Sequence, residues 1–372
     1  MKILYTATVL SHICQFHLPY LKSLQENGHC IHVAAHDNLS VKNGLSLKYT
    51  DRFIETPFQR SPKSPDNIKA YKQLKSLIAE EKYDIIVCNT PMGGVVTRLA
   101  AKAARKKGTK VIYIAHGFHF FKGAAKSAWM VYYPIEKILA KYCDVVVTIN
   151  EEDYQLAKER FPVRVEHICG IGVDPNRYHP VSESEKMLLR EKENLSEHDF
   201  VILCTGELNR NKNQKTLIEA ASLLQGIIPN LKVLLAGNGP NEPALHAQIT
   251  ALHLEDSVRL LGYRTDLENL VPAVDLIVSC SYREGLPMNI IEGMLCQKPV
   301  VASVNRGHVE LVEDGVNGYL VQADDSKAFA DRINKLFTDR ELAKRFGDSG
   351  YRKAENYTVS AVSGTIEQIL NI

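Results

Sequence analysis

The sequence predicts an α/β protein built from two parallel-sheet domains that face a cleft. At 372 residues the chain is too long for one compact core and suits about two domains of ~150–200 residues each. Apolar runs of strand length alternate with amphipathic helical patterns almost from end to end, the signature of a parallel layout. The alternation breaks once, across the Gly- and Pro-rich stretch Cys169 to Pro180 and the charged segment Ser182 to Asp199, and then restarts. In the first series Lys2–Tyr5, Ile31–Ala34, Asp84–Cys88, Val111–Ala115 and Val145–Ile149 read as strands, with helical patterns at Phe16–Glu26, Ile68–Glu80 and Val95–Lys106. The second runs through Val201–Cys204, Val233–Ala236, Val258–Leu261, Leu276–Ser279 and Val300–Ala302. Ligands of such sheets bind outside the carboxyl ends of the strands, so the residues that follow strands are the candidates for function.

Composition narrows the class. No apolar run is long enough to span a bilayer, and Met1-Lys2-Ile3-Leu4-Tyr5 enters a strand without a signal-peptide pattern, so a cytoplasmic protein is expected. Eight cysteines include no Cys-x-x-Cys pair, and Cys88, Cys204 and Cys280 end apolar strands, where a reduced thiol packs as a small hydrophobe. Neither structural zinc nor a disulfide framework is expected. Residues 1–180 carry 25 Lys/Arg against 16 Asp/Glu, whereas residues 181–372 carry 20 against 27, so one half is basic and the other acidic. The basic charge concentrates in residues 98–142, where Phe118, Phe120, Phe121, Trp129, Tyr132 and Tyr133 interleave with Lys122, Lys126, Lys137 and Lys141. This segment suits an anionic membrane surface or a lipid diphosphate. It equally suits a solvated helix whose aromatic side packs in the core. A sequence pI near 8.0 and the lack of a recognised binding motif argue against nucleic acid.

Two segments carry candidate chemistry. In Ser281-Tyr282-Arg283-Glu284-Gly285-Leu286-Pro287-Met288-Asn289-Ile290-Ile291-Glu292, two carboxylates flank a strand-to-helix turn. With Pro287 at the first helical turn, the amides of Met288, Asn289 and Ile290 are expected to face a diphosphate, with Glu292 just behind it. Taken alone, the pair also reads as solvated carboxylates beside an ordinary loop. In Thr205-Gly206-Glu207-Leu208-Asn209-Arg210-Asn211-Lys212-Asn213, a strand meets a glycine turn and then Lys212, a point charge for phosphate.

With Cys296 to Ser303, Glu310 and Asp314 to Val321, these segments resemble the retaining glycosyltransferases of family 4, whose GT-B fold pairs two Rossmann-like domains across a cleft. Gly170 to Tyr178 resembles that family's interdomain link. Ser11-His12 and Ile114-Ala115-His116-Gly117-Phe118-His119 resemble the subgroup that builds bacterial exopolysaccharides and capsules. The resemblance implies an acceptor-binding domain of residues 1–173 plus a C-terminal helix at 356–372, and a nucleotide-sugar domain of residues 174–355. It implies that Glu292 holds the ribose, that Glu284 and His116 contact the transferred sugar, and that the backbone at Tyr263 and Arg264 reads the base. Gly206, Arg210 and Lys212 would hold the donor diphosphate, while Ser11, His12 and His119 would touch phosphate or acceptor. His116 also reads as a structural histidine bonded to a loop carbonyl.

The implied reaction moves a hexose or N-acetylhexosamine from a nucleotide-diphosphate sugar, UDP-linked, to a lipid-linked saccharide at the inner face of the plasma membrane. Retention would follow from front-face attack with the leaving phosphate as base. No Asp-x-Asp occurs, so no metal or other cofactor is expected. Two departures stand out: the first loop lacks the family's glycines, and Glu207 stands where many members carry Arg. Two other classes share the features so far, a UDP-sugar 2-epimerase-like isomerase and a catalytically silent nucleotide-sugar-binding partner of another transferase.

Overall fold

A computed structural model describes residues 1–42 and 44–371. The chain divides into two compact units, one formed by Met1–Gly172 with the segment from Val362 onward, the other by Val173–Ala361. The first holds seven strands: β1 (Lys2–Val9), β2 (Cys30–His36), β3 (Arg52–Glu55), β4 (Ile85–Asn89), β5 (Lys110–Ala115), β6 (Val145–Thr148) and β7 (Arg164–His167). They pair in parallel in the order β3-β2-β1-β4-β5-β6-β7. The second unit holds β8 (Phe200–Thr205), β9 (Leu231–Ala236), β10 (Val258–Gly262), β11 (Leu276–Ser279), β12 (Val300–Ser303) and β13 (Gly318–Val321). Their order is β10-β9-β8-β11-β12-β13, again parallel. Both are Rossmann-like sheets.

Helices cover both faces, so central strands are buried on each side and read as unbroken apolar runs. Ile3, Leu4, Ile86, Val111, Val146, Ile202, Val233 and Val300 are all fully covered. The strand order reverses between β1 and β4 in the first unit and between β8 and β11 in the second. Those reversals open crevices at the carboxyl edge.

Three strands absent from the expected series, β3, β7 and β13, are all at sheet edges and only four residues long. Arg52-Phe53-Ile54-Glu55 and Arg164-Val165-Glu166-His167 mix charged with apolar side chains, which suits an edge and hides the strand from a search for apolar runs. β13 opens on Gly318, where a Cβ would lie 2.6 Å from the Val300 carbonyl oxygen, so only glycine admits that pairing.

The entry to the first unit also differs from expectation. β1 continues to Val9 and passes directly into a helix, Leu10–Phe16, rather than a loop. A second helix, Leu18–Glu26, has Pro19 in its first turn, and His17 sits at the junction. His12 is thereby held on a helical turn. At the other end of the chain the helix Val359–Leu370 buries Val362, Ile366, Ile369 and Leu370, and Lys110 Nζ donates to the Ile369 carbonyl at 2.6 Å.

Candidate functional site

In the second unit, the loops after β8 and β11 are stitched together across the crevice. Tyr282 N donates to the Asn211 carbonyl at 2.8 Å, and Asn211 Nδ2 donates to the Arg283 carbonyl at 2.9 Å. Asn289 Nδ2 reaches the Thr205 carbonyl at 3.4 Å. Gly206 has φ +141°, and a Cβ there would lie 2.9 Å from Lys212 Cε. The glycine therefore lets the lysine fold back over its own loop.

Lys212 Nζ donates to Glu284 Oε1 at 2.7 Å. Burial opposes charge on both groups, yet each stabilises the other: the ammonium is held above its ordinary pKa and the carboxyl below its own. Behind Glu284 lies a network that sequence reading missed. Ser281 hydrogen-bonds the carboxylate. His308, fully buried, is joined to Ser279 Oγ at 3.1 Å through Nε2, and Asn305 caps its helix through the Gly307 and His308 amides. A Cβ on Gly307 would lie 2.9 Å from Glu284 Cβ, so the helix Arg306–Leu311 presses directly on the carboxylate stem.

The helix Met288–Leu295 starts beside this pair, with Pro287 as its N-cap rather than inside its first turn. The expected trio of outward amides is reduced, because Ile290 N bonds the Pro287 carbonyl at 3.2 Å. Met288 and Asn289 remain in the first turn, ahead of the intrahelical ladder. Glu292 lies further along the helix. Burial raises its carboxyl to about 7, against the pull of Arg177 and a hydrogen bond from Tyr178. Arg177 pairs with Glu268 at 2.9 Å. Tyr178 and Arg177 belong to the linker motif, where sequence reading gave them no role.

Arg210 and Glu207 are exposed at the rim, and Glu207 accepts from Asn209 Nδ2 at 3.1 Å. The Arg264 side chain is committed elsewhere: Glu193 and Asp266 grip its guanidinium at 2.6–2.9 Å. Gly237, a weak signal in sequence, proves structural. Its amide meets the Gly262 carbonyl at 2.7 Å, and a Cβ would lie 2.0 Å from the Gly206 carbonyl oxygen.

In the first unit, His116 follows β5 and its Nε2 meets His12 Nε2 at 3.1 Å and Asn89 Oδ1 at 3.4 Å. Burial lowers the His116 pKa to about 4, so the ring is neutral near pH 7. Asp153 Oδ2 accepts from Phe118 N at 2.9 Å and fixes the loop that follows. Ser11 is not free for a ligand: it is buried, its amide donates to Asn38 Oδ1 at 3.0 Å, and its hydroxyl accepts from Asn38 Nδ2 at 2.9 Å. His119 lies against Tyr132, ring centroids 4.8 Å apart. His17, a weaker candidate than His12 in sequence because it does not directly follow a strand, joins the histidine pair.

The basic segment 98–142 resolves into two parts. Arg98 is fully buried, paired with Glu136 at 2.8 Å and stacked on Tyr113 at 3.9 Å, so it contributes nothing to a surface. Trp129 and Tyr133 pack on Phe120. The outer face of the helix Lys126–Leu139 instead exposes Met130, Val131, Tyr132, Ile135 and Ile138 beside Lys126 and Lys137. Among the described residues, no helix is long and apolar enough to cross a membrane.

Residues 2–150 match the family model described as glycosyl transferase 4-like, and residues 185–353 match glycosyl transferases group 1. The EpsD protein of Bacillus subtilis strain 168 is 45% identical over 374 residues, covering 100% of this chain and 96% of its own. The chain belongs to the family 4 glycosyltransferases. An Escherichia coli UDP-Gal:α-D-GlcNAc-diphosphoundecaprenol α-1,3-galactosyltransferase is 30% identical to this transferase over 290 residues, covering 74% of this chain and 73% of its own. Among solved structures, Anabaena HepE in complex with UDP superposes with a TM-score of 0.77 at 25% identity, covering 100% of both chains. The transferase therefore has the GT-B fold.

Proposed function

We propose that this glycosyltransferase moves a hexose or N-acetylhexosamine from a UDP-sugar to a lipid-linked saccharide during bacterial exopolysaccharide or capsule synthesis, with retention at the anomeric carbon. The observation that carries the reading is the Lys212–Glu284 pair in the β8/β11 crevice, beside the first turn of the helix that bears Glu292. Lys212, Arg210 and the amides of Met288 and Asn289 would take up the negative charge that develops as UDP leaves, so that chemistry calls for no metal ion. Glu284, its stem held by Gly307, would accept hydroxyls of the transferred sugar, and Glu292 those of the ribose. His116, neutral, would bind the sugar by hydrogen bonds rather than by charge.

HepE crystallised with UDP and the E. coli relative's UDP-galactose donor support the choice of nucleotide, and that relative's diphosphoundecaprenol acceptor supports a lipid-linked substrate. The apolar and basic outer face of the helix Lys126–Leu139 would rest on the anionic inner leaflet of the plasma membrane, where such an acceptor resides.

Thermal stabilisation by UDP, GDP, ADP, dTDP and CMP, with and without Mg²⁺, tests the donor half, because a specific ligand raises the melting temperature by mass action. Stabilisation by UDP that does not need Mg²⁺ is the expected result. No response to any nucleotide would overturn the donor assignment.

A further inference from the structure

The three histidines of the first unit are arranged in a way that sugar binding does not require. His12 and His17 sit at the middle and the end of one short helix, and His116 comes to them from the end of β5. One nitrogen from each ring lies within 4.8 Å of the others. Ring centroids are 4.3 Å apart for His12 and His116, 5.4 Å for His12 and His17, and 5.6 Å for His17 and His116.

Hydrogen bonding leaves one nitrogen of this cluster without a partner, while His116 Nε2 meets both His12 Nε2 and, at 3.4 Å, Asn89 Oδ1. A neutral imidazole carries one N–H, so the 3.1 Å contact between the Nε2 atoms of His12 and His116 uses a single shared proton. His17 is 1% exposed, and its Nε2 has no hydrogen-bond partner at all. An orphaned buried nitrogen of this kind costs about 1–3 kcal/mol and calls for an explanation. A cation that accepted a lone pair from each ring would give the orphaned His17 nitrogen a partner.

We infer that His12, His17 and His116 form a site for a borderline divalent cation of the Zn²⁺ or Co²⁺ class, and that its occupancy withdraws His116 from the donor sugar and inhibits transfer. Three imidazoles and no carboxylate disfavour Mg²⁺ and suit Zn²⁺. Zn–N bonds of about 2.0–2.1 Å in a tetrahedron set the nitrogens roughly 3.3 Å apart, close to the His12–His116 spacing. The third ring has to close by up to about 1.5 Å, within the reach of a side-chain adjustment. Burial pushes all three rings toward the unprotonated, ligating form.

The inhibitory half of this inference rests on the proposed role of His116; the binding half does not. The experiment is a Co²⁺ titration of the full chain without a polyhistidine tag, read by visible absorption, where a tetrahedral nitrogen site gives an intense band. One cobalt per chain is expected, displaced by Zn²⁺, with affinity falling at least about tenfold in His17→Ala and in His12→Ala. Circular dichroism reports whether each variant folds, and if the buried His17→Ala does not, His12→Ala decides. Zinc should slow release of UDP from the donor by at least about tenfold in the parent protein and far less in the folded variant. Absence of the band, or its persistence unchanged in the folded variant, overturns the site. A normal cobalt band with no UDP stabilisation would instead fault the donor reading and leave the metal site standing. Full activity with the metal bound would overturn the inhibitory half.

Discussion

Lys212 and Glu284 hold each other charged in a place that otherwise penalises charge, so either one alone is a liability. Lys212→Ala removes the phosphate partner and leaves Glu284 unpaired. Hydrogen bonds to charged groups contribute about 1.5–3 kcal/mol, so UDP affinity should fall by ~10–100-fold, read by titration calorimetry. Unchanged affinity would remove Lys212 from the phosphate site. Glu292 offers a test through pH. Its folded pKa, about 7, lies above that of an unfolded glutamate, so the folded state binds the extra proton and stability drops as pH rises from about 4.5 to 7. Glu292→Gln should therefore match the parent in urea unfolding near pH 5 and exceed it at pH 8; an equal difference at both would contradict the raised pKa.

The sequence pointed to Lys212, Glu284, Glu292 and His116 through their places after strands and through the family resemblance, and the structure brings Lys212 and Glu284 into contact. Their partners were not legible. Ser281 and His308 reach Glu284's surroundings from separate strand ends, and Ser11 turns to Asn38 across 27 residues of chain.

Among the elements, the helix Lys126–Leu139 is the one for which the sequence left two readings open. Trp129 and Tyr133 serve the core, whereas Met130, Val131, Tyr132, Ile135 and Ile138 face outward. Periodicity alone finds that a helix has two apolar stripes and cannot say which one the neighbouring loop covers. Phe118 and Phe120, stacked at 4.8 Å, supply that cover. The exposed stripe sets up a prediction in two arms. Replacing Lys122, Lys126, Lys137 and Lys141 with Gln removes about 1 kcal/mol of attraction per charge near an anionic surface. Replacing Met130 and Ile138, 77% and 55% exposed, with Ser removes apolar burial instead. Both variants should leave anionic vesicles in a flotation assay, and only the first loss should be mimicked by high salt. Retention of both variants on the vesicles would exclude this face as the contact. Edge strands are the other elements that sequence hid, since β3 and β7 carry their charges outward to keep the sheet from pairing further.

At the scale of the whole molecule, the chain's division into two units has a consequence for unfolding. Each has its own apolar core: Ile202, Val233, Leu276 and Phe329 belong to one, and Leu4, Ile86, Val111 and Phe120 to the other. The helix Val359–Leu370 ends the sequence but packs its buried side chains in the first unit, so a lesion there strikes the unit that begins at Met1. Ile366→Ala deletes a buried side chain and should cost that unit about 2–5 kcal/mol. The proposed UDP contacts Lys212, Glu284 and Glu292 all belong to the other unit. Calorimetry of the full chain should therefore separate the two effects: UDP raises one transition, and Ile366→Ala lowers the one that UDP leaves in place. If UDP and the mutation act on a single shared transition, the units unfold as one cooperative body. If UDP raises the transition that Ile366→Ala lowers while a second stays fixed, the nucleotide binds the first unit and the donor assignment is reversed.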